Sequence, residues 1–335
     1  MDTRYLSAVG RIRAKEARLI EFPRFLRMLE ATGPGEVIKE MADTEYAGDI
    51  TDIQPGNFEQ LLLKQQNSLK KLLTELTKDP ELTDLLFMIN DFHNLKVAFK
   101  EKLQENPSRD RAGKSFLAPA VYDGSLIWNA VIEDNYKSLP EPIKNAAAKV
   151  GGIFERTTKY NEIDIVIDRF FFGYALDVAA RYKSDFMKNI LSRQIDNVNI
   201  KTFIKFREAG VDRAKLKAHV INGGELDAEL YDRAYDGSSD DFMTMLRFKG
   251  CYPAVKTGFE HWQKEGDFSI MEKLMDDLIT GYVKKAKYET FGIEPVIGYF
   301  FAIKAEITNI RSIMTGKLNE IPDEYVRERL RTTYV

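Results

Sequence analysis

The side chains best suited to chemistry are few and far apart. The three histidines, His93, His219 and His261, are widely separated, and none has a second ligand at metal-binding spacing. The single cysteine lies in Gly250-Cys251-Tyr252-Pro253, with no activating base beside it in the sequence, and reads as a small buried residue. One cysteine excludes an intramolecular disulfide and a thiolate metal cage, and it fits a reducing compartment. Gly113-Lys114-Ser115 matches the end of a phosphate-binding loop. That loop needs another glycine five residues earlier, where Ser108 stands, and a buried strand in front, where Asn106-Pro107 follows a charged helix end. With no nucleophile beside a base and no ligand set, the sequence predicts no catalytic residue, no cofactor and no metal. An enzyme with a site between helices is the least supported reading.

What does recur is polar. Asp91-Phe92-His93-Asn94-Leu95-Lys96, Asp196-Asn197-Val198-Asn199-Ile200-Lys201 and Glu306-Ile307-Thr308-Asn309-Ile310-Arg311 share one pattern: acid, two residues, Asn, Leu or Ile, base. The three asparagines are 105 and 110 residues apart, and no other Asn in the chain has an acid three positions before it. Positions five after each Asn are Phe99, Ile204 and Met314, and positions nine before are Leu85, Ile190 and Phe300. At helical spacing these share one face with Leu95, Ile200 and Ile310, with the acid at that stripe's edge and the Asn further round. Two repeats are followed by a glycine turn and a leucine, Gly124-Ser125-Leu126 and Gly224-Glu225-Leu226.

Asn is a poor helix-interior residue, because its amide competes for backbone hydrogen bonds. Its repeated presence on an apolar helix points to a paired polar contact between elements. Two roles fit: a structural joint used three times, or a polar ligand site present three times.

The elements that must carry these residues read as helices, and the fold class is all-α. Leucines recur at helical spacing from Leu61 to Leu76, stop at Asp79-Pro80, and resume from Leu82 to Leu103. Further helices are expected around 158–181, 183–209, 267–287 and 294–315. Ile163-Asp164-Ile165-Val166-Ile167 alternates like a strand, yet a long amphipathic helix explains it equally. Breaks fall at Gly33-Pro34-Gly35, Asn106–Ala120, Gly223-Gly224 and Asp236–Asp241. A period near 105 residues implies three similar helical lobes, drawn at 1–115, 116–221 and 222–335.

The chain has 335 residues, 44% hydrophobic and 30% charged, which is the balance of a globular protein with a real core. A formal net charge of −3 offers no bulk attraction for nucleic acid or an anionic membrane. The opening Met1-Asp2-Thr3-Arg4-Tyr5 turns basic rather than apolar, so no secretory signal is expected. No run of about 18 apolar residues occurs, so a transmembrane helix is not expected either. Any work at a membrane would go through a partner. Phe170-Phe171-Phe172-Gly173-Tyr174 and Tyr299-Phe300-Phe301 read as core. Lys284-Lys285-Ala286-Lys287-Tyr288 reads as a solvated helix end balancing Asp276-Asp277.

The stretch Gly292–Glu306, continued through Asn309-Ile310-Arg311, Gly316-Lys317-Leu318-Asn319 and Glu324–Leu330, resembles the C subunit of V-type ATPases and ATP synthases, equivalent to the d subunit of the vacuolar enzyme. Ala8-Val9-Gly10-Arg11-Ile12-Arg13, Asp91–Lys96, Asp196–Lys201 and Gly223–Leu226 extend the resemblance over nearly the whole chain. Gly10 and Ile303 depart from it, standing where the family has a polar and a small residue; only local packing depends on them. The resemblance implies a funnel of three helical lobes around a pseudo-threefold axis. It implies a peripheral seat at the cytoplasmic face of the membrane, on the proteolipid ring, with the central rotor stalk as second partner. The role so implied is non-catalytic coupling of ATP hydrolysis or synthesis to H⁺ or Na⁺ transport. Arg327, Arg329 and Arg331 are candidates for a partner or inter-lobe contact, or else pair locally with Glu324 and Glu328. The alternative is a helical scaffold or regulatory binding protein outside any ATPase.

Overall fold

The computed structural model describes residues 3–46, 48, 54–154 and 160–335, and every regular element among them is helical. In chain order the α-helices are α1 (Leu6–Glu16), α2 (Phe22–Glu30), α3 (Pro34–Lys39), α4 (Phe58–Leu76), α5 (Pro80–Lys102) and α6 (Arg109–Ser115). There follow α7 (Gly124–Ile132), α8 (Glu141–Phe154), α9 (Tyr160–Arg181), α10 (Asp185–Glu208), α11 (Arg213–His219) and α12 (Ala228–Ala234). The last are α13 (Ser239–Leu246), α14 (Tyr252–Glu265), α15 (Ser269–Val283), α16 (Glu294–Leu318) and α17 (Asp323–Arg329).

The chain divides into two compact units. One combines residues 1–78 with 237–335, and the other holds 79–236. In the first, α16 is the axis: α1, α2, α3, α4, α15 and α17 all pack on it. Pro295 at its start lacks only an amide hydrogen that a first turn leaves unpaired anyway. Burial runs almost all the way round it, from Val296 to Met314. Gly316 lies so close to Val326 that an added Cβ would sit 2.6 Å from its Cγ2. In the second unit, α5 packs against α7 and α9, and α9 against α8 and α10. Pro80 opens α5, and Ser184 caps α10 by accepting the Met187 amide. Phe92 meets Phe171 at a ring-centroid distance of 5.4 Å.

The expected helices around 183–209 and 294–315 match α10 and α16. The one around 267–287 is α15, extended by a 3₁₀ turn over Lys284–Tyr288. The helix around 158–181 is α9 from Tyr160 on. Its first two residues lie outside the described residues, as do Met1 and Asp2 of the opening stretch. The strand-like Ile163–Ile167 is helical, within α9. Two local expectations are corrected. The break at Asn106–Ala120 contains α6, because the Ser108 side chain accepts the Arg111 amide and starts a helix there. Gly113-Lys114-Ser115 is thus the last turn of a helix rather than a loop before one. Asp276 and Asp277 do not balance Lys284–Lys287: they meet Arg331 at 3.2 Å and Lys273 at 2.8 Å.

Candidate functional site

The three repeated constellations lie in the long helices α5, α10 and α16, and each acid and Asn is buried. Each asparagine clamps both polar groups of one backbone residue. The Asn94 amide donates to Leu117 O at 3.1 Å, and its oxygen accepts the Leu117 amide at 2.7 Å. Asn199 holds Ile221 in the same way, at 2.8 and 2.9 Å. Asn309 holds Arg331, at 2.9 and 2.7 Å. The clamped residue lies 22 or 23 positions after its Asn in every case. A carboxamide offers one donor and one acceptor side by side. An extended residue crossing it presents the complementary pair, so both partners lose water without losing hydrogen bonds.

The acids secure the next stretch of chain. Asp91 accepts the Val121 and Tyr122 amides at 2.8 and 2.9 Å. Asp196 accepts the Glu225 and Leu226 amides, both at 3.1 Å. Glu306 instead accepts the Ile20 amide at 2.5 Å and faces the Tyr46 hydroxyl at 3.5 Å. The last residue that each acid holds stands two positions before a helix: Tyr122 before α7, Leu226 before α12 and Ile20 before α2. The intervening residue is an acid at the N-cap each time, Asp123, Asp227 or Glu21. All three joints thus pin an incoming segment and aim the helix that follows. In the third, that segment lies 286 positions away in the sequence.

This register corrects one expected correspondence. Leu226 corresponds to Tyr122, so Gly224 matches Ala120 and not Gly124. Gly224 is glycine for a local reason, since a Cβ there would run into Asp196 Oδ1.

The third members of the pattern reach outward. Lys96 pairs with Asp168 of α9 at 2.5 Å, and Arg311 with Glu59 of α4 at 2.7 Å. Lys201 contributes to the field at Asp168. Burial pushes Asp196 up to about 7, against the opposing pull of the Leu226 and Glu225 amides. It pushes Glu306 up to about 8, with the Ile20 amide and Tyr46 hydroxyl opposing and the Glu45 carboxylate adding to the rise.

The C-terminal arginines are fastened within their own unit. Arg327 approaches Glu30 at 3.8 Å, Arg329 approaches Asp267 at 3.6 Å, and Arg331 meets Asp276 at 3.2 Å. Glu324 and Glu328 are not their partners. Only Arg331 joins a repeated constellation, and it does so through its backbone.

The remaining chemistry-bearing side chains are scattered. His93 touches Ser115 O, His219 touches Lys215 O and His261 touches Asp267. Cys251 is buried. Among the described residues no group of His, Cys, Asp or Glu could hold a metal ion. A groove of about 690 Å³ runs past Asn94, Arg109 and Lys114. Ile20, Tyr46 and the clamped residues Leu117, Ile221 and Arg331 were not singled out by the sequence as members of these joints. The near-equal interval of 22 or 23 positions after each Asn is the signal that marks the clamped three.

Compared with known proteins, residues 8–329 match the family described as ATP synthase (C/AC39) subunit. The C subunit of the V-type sodium ATPase of Enterococcus hirae is 22% identical, over 96% of this chain and 97% of that one. The C subunit of the A-type ATP synthase of Methanocaldococcus jannaschii is 21% identical, over 97% and 86%. Its counterpart in Desulfurococcus is 22% identical, over 97% and 90%.

Proposed function

The chain belongs to the ATP synthase (C/AC39) subunit family, a non-catalytic component of rotary ATPases, and from that premise we propose that it couples the proteolipid ring to the central rotor stalk. In this reading it sits peripherally on the cytoplasmic face of the membrane and relays torque between ATP turnover and H⁺ or Na⁺ movement. The observation that carries the proposal is the family match over 8–329, joined to a joint built three times in one register. A torque adaptor needs stiffness. Each joint supplies it by tying a buried helix to the segment that launches another, through four hydrogen bonds to backbone or, once, to a hydroxyl.

We further propose that the three joints mark three lobes, 1–115, 116–221 and 222–335, arranged as a funnel about a pseudo-threefold axis. Arg327, Arg329 and Arg331 serve this arrangement by fastening the last segment to α2, α15 and the loop before α15. No helix among the described residues is long and apolar enough to cross a membrane, so the ring is reached by docking. The name of the Enterococcus hirae relative specifies sodium for that enzyme; either ion fits the present reading.

Reconstitution of the rotary complex into vesicles, with and without this chain, tests the proposal. ATP-driven ion uptake should require it, while ATP hydrolysis by the detached catalytic sector should not. Full-rate uptake by complexes lacking the chain would refute the coupling role.

A further inference from the structure

The turn from α16 into α17 is a rigid elbow that presents large apolar side chains to solvent. All eight residues from Leu318 to Tyr325 are exposed. Leu318 and Ile321 are each 40% accessible and Tyr325 is 53%. A floppy turn could be discounted, but this one is tied at several points. The Ile321 amide donates to Gly316 O at 2.9 Å, Asn319 Nδ2 to Thr315 O at 2.8 Å, and Lys317 pairs with Asp323 at 2.8 Å. Glu320 takes a left-handed backbone conformation, φ 53°, which costs a non-glycine residue energy and persists only where neighbours hold it. Three large apolar groups held outward on a fixed turn resemble the centre of a docking surface more than scattered surface hydrophobics.

The charges around the elbow specify what fits it. Arg327, Arg329 and Arg331 are engaged by Glu30, Asp267 and Asp276. Glu320, Glu324 and Glu328 are exposed and make no ion pair among the described residues. The free charge at this surface is therefore negative, although the sequence draws the eye to the arginines.

We infer that the α16–α17 elbow docks a basic amphipathic segment of a partner protein, its apolar side chains on Leu318, Ile321 and Tyr325 and its lysines or arginines facing Glu320, Glu324 and Glu328. Apolar contact would supply the attraction, and the complementary charges would set orientation and exclude acidic segments. The inference goes beyond the coupling role and holds whichever protein of the assembly supplies the segment.

The test places a photoreactive phenylalanine analogue at position 325 of the full chain in cells. After illumination of intact membranes, the cross-linked peptide is sequenced. The expected product is a protein segment with apolar residues three or four apart and flanking Lys or Arg. An acidic or uncharged segment, a lipid, a second copy of this chain, or no product at all would overturn the inference. A second chain carries the same analogue with Glu320→Lys, Glu324→Lys and Glu328→Lys, all at exposed positions where folding is tolerated. Three attractions turned to repulsions should lower cross-link yield about tenfold, and raising salt should lower the wild-type yield in the same direction. An undiminished yield in the reversed chain, folded as judged by circular dichroism, would remove the role of charge and overturn the proposal as stated.

Discussion

Replacing Asn199 by aspartate exchanges one NH₂ for an oxygen and leaves shape almost unchanged. Oδ1 can still accept the Ile221 amide, but the carbonyl of Ile221, 2.8 Å from Nδ2 in the native joint, loses its donor and faces a second oxygen. A buried acceptor left without a partner costs about 1–3 kcal/mol, and an unpaired buried charge adds to it, so about 3 kcal/mol or more is expected near pH 7. Asp196, one turn away and itself buried, makes a second negative charge still less welcome. Protonation reverses the loss, because a neutral carboxyl can donate to Ile221 O. The new carboxyl therefore has a folded-state pKa above its unfolded value, so the native form holds its proton more tightly. The variant should approach wild-type stability at about pH 4 and fall behind as pH rises. The chain has two tryptophans, Trp128 in the unit holding Asn199 and Trp262 in the other. Urea unfolding is followed through Trp128, which lies in the unit that holds Asn199, in a Trp262→Phe background. A loss below about 1 kcal/mol at pH 7, or one that does not shrink on acidification, would refute the clamp as a stabilising element.

Three further outcomes follow from the same geometry. Glu306, raised to about 8 by burial, binds its proton more tightly folded than unfolded. Its contribution to the stability of its unit should be full below about pH 4 and be lost as pH rises toward 8, against the opposite trend of carboxylates such as Asp267 and Glu36, which are held below their ordinary values. Glu306→Gln keeps an acceptor for the Ile20 amide and offers a donor to Tyr46, so it should flatten that decline; an unchanged slope, read through Trp262 in a Trp128→Phe background, would exclude Glu306 as its source. Gly224→Ala drives a methyl into the Asp196 carboxylate and should destabilise by about 2 kcal/mol, whereas Gly10→Ala meets open space within α1 and should stabilise by roughly 0.5–1 kcal/mol; equal thermal shifts for the two would contradict this. Asn309→Ala should cost about 2–4 kcal/mol and Arg331→Ala about 1, because the clamp holds the Arg331 backbone while its side chain adds one ion pair to a part-exposed Asp276 and one hydrogen bond to the Arg329 carbonyl; denaturation midpoints in the reverse order would show that the side chain matters more.

The helical class was legible because Leu61–Leu76 and Leu82–Leu103 carry apolar residues at helical spacing, and the repeat because three acid–Asn pairs recur at near-equal intervals. What the polar residues hold was not legible. Backbone groups have no sequence signature, so Leu117, Ile221 and Arg331 look like any other positions until the chain is folded back. Tyr46 and Ile20 reach Glu306 from the far end of the sequence, which no local pattern can announce. The ion-pair partners at the C-terminus were hidden in a similar way. Arg327, Arg329 and Arg331 stand out in a run, but their partners Glu30, Asp267 and Asp276 come from distant segments and leave the glutamates outside the ion pairs. Short helices such as α6 escaped because a Ser cap over a Gly-containing segment reads as a loop.

The coupling role is tested most directly by tagging the full chain and purifying it from gently solubilised native membranes. The account predicts recovery together with proteolipid-ring and central-stalk proteins. Recovery of the chain alone, under conditions that keep the rotary ATPase intact, would contradict it.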